Sequence, residues 1–162
     1  FIIGSFMAAW IILYGIIQAY SPKLFLKEDN RKINLVDISK NWVLYLLINL
    51  ILLTFLLFFF SEIFLTTIFL FSGLFIFCGI FAVNSSIHSY LILHFSKMNR
   101  VSLDVGFYYM ANATGRFFGT LLSGLSYQFG GLTLSLALST IMIAFCLYLT
   151  SFLQESYNEQ KI

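Results

Sequence analysis

From Phe64 to Phe95 the chain contains no Asp, Glu, Lys or Arg, and the same holds from Trp42 to Phe60. Runs of this length constrain the fold more than any other feature, because about 20 apolar residues in a helix cross the hydrocarbon of a bilayer. A helix also satisfies its own backbone hydrogen bonds where no water can. The rest of the chain agrees: 60% of the 162 residues are hydrophobic and 10% are charged, against about 25% charged in a soluble domain. An all-α membrane protein is predicted.

Five apolar segments are predicted to cross the membrane, at about 1–20, 42–60, 64–95, 105–129 and 132–153. Ser21-Pro22 is expected to close the first, since proline biases the preceding residue away from helix. The loop 21–41 then holds Lys23, Lys27, Glu28, Asp29, Arg31, Lys32, Asp37 and Lys40. Trp42 and Tyr45 are placed as interface anchors. Ser61-Glu62 and Gly130-Gly131 read as turns, and Asn84-Ser85-Ser86 is the expected weak point of the long third segment. The loop 96–104 holds Lys97 and Arg100, and the tail 154–162 holds Glu155, Glu159 and Lys161. Every Lys and Arg except Arg116 falls in the loops after segments one and three or in the tail. The positive-inside rule makes these parts, including the C-terminus, cytoplasmic. The chain opens inside an apolar run without an initiator Met, so it is expected to be the C-terminal part of a longer protein.

The fourth segment carries the one cation within an apolar stretch. Arg116 lies near the middle of 105–129, and no Asp or Glu lies within any apolar segment. A charge at that depth costs between about 3 and 10 kcal/mol, so it faces a cavity and needs a partner. That partner is either a carboxylate elsewhere in the protein or an anionic ligand. A guanidinium suits phosphate or carboxylate because its planar fork matches two oxygens and stays charged. Asn112, Arg116 and Thr120 recur every four residues and share one face, with Tyr109 one turn earlier. Beside them Ala111, Gly115, Gly119 and Ser123 form a stripe of small residues that lets a neighbouring helix approach closely.

A second polar cluster, Asn84 to Tyr90, lies on the third segment. Asn84 and His88 share a face, as do Ser85 and Ser89. The serines are expected to bond to the backbone. His88 is either a satisfied structural histidine or a proton relay, and protons are a coupling partner only in the second case. His94 is placed at the interface, and Tyr14 with Gln18 gives a weaker cavity-facing pair. Cys78 and Cys146 have no paired spacing and read as core filler. There is no Ser-His-acid set, metal-ligand spacing or phosphate loop, so no enzyme activity, cofactor, metal site or nucleic-acid partner is expected.

Two stretches go further. FAVNSSIHSYLIL from Phe81 to Leu93 and VGFYYMANATGRFFGTLLSG from Val105 to Gly124 resemble the arsenic-resistance permeases of the major facilitator superfamily, which export organoarsenicals. YGIIQ from Tyr14 to Gln18 is similar to the same group. The resemblance implies that the five segments are helices eight to twelve of a twelve-helix carrier with alternating access in a bacterial inner membrane. An N-terminal half of the same transporter would complete it. The implied cargo is 1-arseno-3-phosphoglycerate, formed when glyceraldehyde-3-phosphate dehydrogenase accepts arsenate, and its export would give arsenate resistance. The residues suit such an anion better than arsenite, a soft ion that calls for clustered thiolates. Substrate-binding positions are then expected at Arg116, Asn112, Thr120, Tyr109, Asn84 and His88. A carrier for another organic anion or drug, and a non-transporting membrane subunit, are the alternatives.

Overall fold

The structure, a computed structural model, describes residues 2–26, 35–59, 63–96 and 99–159. Four helices account for nearly all of them: α1 (Ile2–Leu26), α2 (Leu35–Phe59), α3 (Ile63–Phe95) and α4 (Val101–Glu159). Each is long and apolar enough to cross a bilayer, over Gly4–Lys23, Leu35–Phe59, Phe64–Phe95 and Val101–Phe152. An all-α, multi-pass membrane protein follows.

α4 is not one rod. A straight helix of 59 residues would run about 90 Å at 1.5 Å per residue, roughly three bilayer cores. It is interrupted at Gly130 (φ −147°, ψ 19°) and Gly131 (φ 63°, ψ −155°). The second pair of angles is a conformation essentially reserved for glycine. The chain doubles back there. The Ser126 and Ser135 hydroxyls lie 3.0 Å apart, whereas nine residues along a straight helix would separate them by about 13 Å. Residues 101–129 and 132–159 are therefore two arms meeting at a glycine turn.

The packing gives the relative directions of the elements. Leu53 of α2 abuts Gly73 of α3, while Ser39 of α2 meets His88, so α2 and α3 run antiparallel. Phe6 packs edge-on against Phe71 at 4.7 Å, the Trp10 indole N–H donates to the Leu74 carbonyl at 3.2 Å, and Tyr14 meets Phe81 at 5.8 Å. α1 and α3 are thus parallel. Thr54 and Thr140 hydroxyls lie 3.2 Å apart across α2 and the second arm of α4. Two buried clusters hold the bundle. One joins Val36 to Val83, Ile87 and Leu91, with Ile17 and Trp42 against it; the other joins Leu50 and Leu53 to Leu136, with Phe77 and Ile143 against it.

Several boundaries differ from the sequence expectation. Ser21-Pro22 does not end α1, which continues to Leu26 with Pro22 inside it. Proline there removes a single backbone bond, and the Ser21 hydroxyl donates to the Ile17 carbonyl at 2.6 Å in the same turn. α2 begins at Leu35 rather than Trp42, with Asp37 in its first turn, where a carboxylate suits the helix dipole. α3 passes unbroken through Asn84-Ser85-Ser86. There the Ser89 hydroxyl donates back to the Ser85 carbonyl within the helix instead of opening it. α4 starts at Val101 and its second arm runs to Glu159. Lys27, Glu28, Asp29, Arg31, Lys32, the Ser61-Glu62 turn, Lys97 and Lys161 lie outside the described residues.

Candidate functional site

The first arm of α4 is the barest part of the molecule. From Val101 to Phe129 a single residue, Ser126, is buried, and that is beside the glycine turn. Arg116 is exposed, and among the described residues no hydrogen bond or ion pair reaches its guanidinium. Asn112, one turn earlier, is half-buried, and Tyr109 is exposed with its ring against Tyr108. These three keep their donors free along one side of the helix.

Thr120 does not join them in the expected way. Its hydroxyl donates into its own helix, to the carbonyls of Arg116 at 3.1 Å and Phe117 at 2.9 Å. With the proton committed there, the oxygen presents lone pairs, the wrong polarity for an anion. The small-residue stripe has a described neighbour at Ser123, whose backbone carbonyl accepts from the Ser135 hydroxyl of the second arm at 3.5 Å, but none at its glycines. A Cβ added at Gly115 or Gly119 would meet nothing within 4 Å, and Ala111 and Ser123 are exposed. The close helix contact expected at Gly115 and Gly119 is not made among the described residues.

The α3 cluster has different surroundings. Asn84 is 8% exposed, and its Oδ1 accepts no hydrogen bond among the described residues. An unpartnered buried acceptor costs about 1–3 kcal/mol. His88, one turn on, places Nε2 3.2 Å from the Ser39 hydroxyl of α2. His88 and Ser39 line a cavity of about 390 Å³ that is also bounded by Cys146, Leu149 and Thr150 of the second arm. No residue of 101–129 lines it, so Arg116 and His88 belong to separate places in the fold.

Other expected positions fall as follows. Tyr14 stacks on Trp10 at 6.2 Å, and Gln18 is half-buried. His94 is exposed beside Phe95. Trp42 packs on a buried cluster and edge-on to Tyr45 at 5.8 Å. Cys78 is fully buried, with its thiol 3.4 Å from the Trp10 carbonyl. Ser39 was not singled out by the sequence, because residues up to 41 read as loop. Its place four residues before Val43, in phase with the buried face of α2, was the available signal. Among the described residues no group of three or more His, Cys, Asp or Glu could hold a metal.

A scan against family models, a search of curated proteins and a search of solved structures each match nothing to this chain.

Proposed function

We propose that the chain forms part of a secondary carrier for an anionic organic solute, crossing the membrane five times, with Arg116 in the path of the anion. The observation that supports this is the situation of Arg116. It lies midway along an apolar run, it is exposed, and no carboxylate among the described residues pairs with it. Left against lipid, such a charge is costly; against an anion or a wet path it is not. Asn112 adds an amide donor and Tyr109 a phenol on the same side.

On this reading the glycine turn makes two crossings of α4, and the stripe of Ala111, Gly115, Gly119 and Ser123 packs on further helices of the same carrier. These are the N-terminal half in the twelve-helix arrangement. The cation-rich loops and the C-terminus face the cytoplasm, and the membrane is a bacterial inner membrane. The specific cargo is an organoarsenical such as 1-arseno-3-phosphoglycerate. The test is arsenate resistance in cells making the full protein. Arg116→Ala is expected to abolish resistance at near-normal membrane abundance. Surviving resistance removes Arg116 from the site, and loss of the protein from the membrane points to an ion pair with a protein carboxylate.

The open contact face at Gly115 and Gly119 also fits a non-transporting subunit that holds a partner helix. Absent flux in vesicles, with an intact complex that Gly115→Leu disrupts, would favour that role.

A further inference from the structure

We propose that the cavity between α2, α3 and the second arm of α4 is a binding site for a lipophilic molecule carrying a ketone or ester carbonyl, which His88 holds by a hydrogen bond. The site is independent of Arg116. Its volume, about 390 Å³, falls within the roughly 300–1,000 Å³ of small-molecule sites. Its walls are largely aliphatic, with Val36, Leu91, Ile92 and Leu149 among them.

The polar groups decide what the ligand must present. The Thr150 hydroxyl is committed to the Cys146 carbonyl at 2.9 Å. Ser39, 1% exposed, makes no such bond to its own helix; its described partner is Nε2 of His88 at 3.2 Å. The Ser39 proton has no other described acceptor; given to Nε2, it leaves the imidazole with its hydrogen on Nδ1. That N–H has no partner among the described residues. It is not one of the buried unpartnered side-chain atoms of the described residues, which are Asn49 Oδ1 and Asn84 Oδ1. His88, which lines the cavity, then keeps one unspent N–H donor. Among the described residues no Asp, Glu, Lys or Arg lines it, so a charged ligand would find no opposite charge on its walls. A neutral acceptor on an apolar body fits, and a carbonyl is such an acceptor.

Benzophenone is a direct probe, since it is a lipophilic ketone that attaches to neighbouring C–H groups on irradiation. The full chain in phosphatidylcholine vesicles is irradiated below saturation, and the adducts are mapped by peptide mass spectrometry. Adducts are expected to concentrate on the peptides containing Leu91 and Leu149. His88→Phe keeps a ring and removes the donor, and should lower that labelling about fivefold, the factor one neutral hydrogen bond is worth. Excess diphenylmethane, which lacks the carbonyl, should compete poorly. Leu149→Trp fills the cavity with the Ser39–His88 pair intact and should abolish the labelling. If His88→Phe fails to fold because Ser39 is left unpaired, Ser39→Ala/His88→Phe removes both partners and carries the same expectation. Labelling spread evenly over exposed positions such as Phe117 and Phe145, or unchanged without the His88 donor, overturns the proposal.

Discussion

At Gly73, α3 lies directly against Leu53 of α2, and a substitution there tests the packing directly. A Cβ built at Gly73 would lie 3.0 Å from Leu53 Cγ and 3.2 Å from Cδ1, with Cδ2 closer still. Overpacking of this kind costs about 1–3 kcal/mol, offset by the roughly 1 kcal/mol by which alanine outranks glycine in a helix. Gly73→Ala alone should thus destabilise by about 0–2 kcal/mol. Leu53→Ala in a soluble core would cost about 2–5 kcal/mol. In lipid the hydrophobic transfer part is largely absent, and a packing loss of about 1–2 kcal/mol remains. In the double variant the new methyl enters the space Leu53 vacates, so the two losses should not add. We expect a favourable coupling of about 1 kcal/mol or more, as for other residues in direct contact. Reversible unfolding of the four proteins in mixed micelles with SDS measures it. Strict additivity would refute the Leu53–Gly73 contact and the antiparallel register of α2 on α3.

Gly131→Val should destabilise by about 1–3 kcal/mol, since its backbone angles are essentially restricted to glycine; unchanged stability in the same micelles would deny the turn. The Thr54 and Thr140 hydroxyls also reach their own helices, at the Leu50 and Leu136 carbonyls 2.8 Å away, so one proton must leave its own carbonyl for the two to bond. Valine replacements singly and together should then give a coupling of about 0.6 kcal/mol, typical of hydrogen bonds between membrane helices. A coupling of zero would remove that bond from the contact between α2 and the second arm. Thr120→Val should change anion transport less than twofold, because the hydroxyl bonds its own helix; a loss comparable to that of Arg116→Ala would return Thr120 to the site.

What the sequence made legible follows from the physics of each element. The apolar run from Phe64 to Phe95 is a continuous helix because nothing in it competes strongly for the backbone. Ser72 and Ser89 turn their hydroxyls back onto the helix, and so do not break it. The start of α2 was hidden because Asp37, Lys40 and Asn41 look like loop residues, although a helix end emerging into the interface tolerates them. Losing that turn also hid Ser39, and with it the surroundings of His88. Pro22 misled in the same way, because a proline in the last turns of a helix removes one backbone bond without stopping the few residues that follow it. Gly130-Gly131 was legible as a turn because no other residue pair adopts that geometry as readily. Spacing alone identified the faces of the Arg116 arm. It could not reveal that the described chain leaves those faces uncovered.

Flux through the full protein reconstituted in proteoliposomes tests the central claim most directly. 1-Arseno-3-phosphoglycerate, generated in place from arsenate, is measured against a panel of simple organic acids, with wild type and Arg116→Gln side by side. The account predicts saturable flux of an organic anion in the wild type. Arg116→Gln should reduce it about 10- to 100-fold, since a hydrogen bond to a charged group is worth about 1.5–3 kcal/mol. Equal flux in the two proteins, or no saturable anion flux in either, would contradict it.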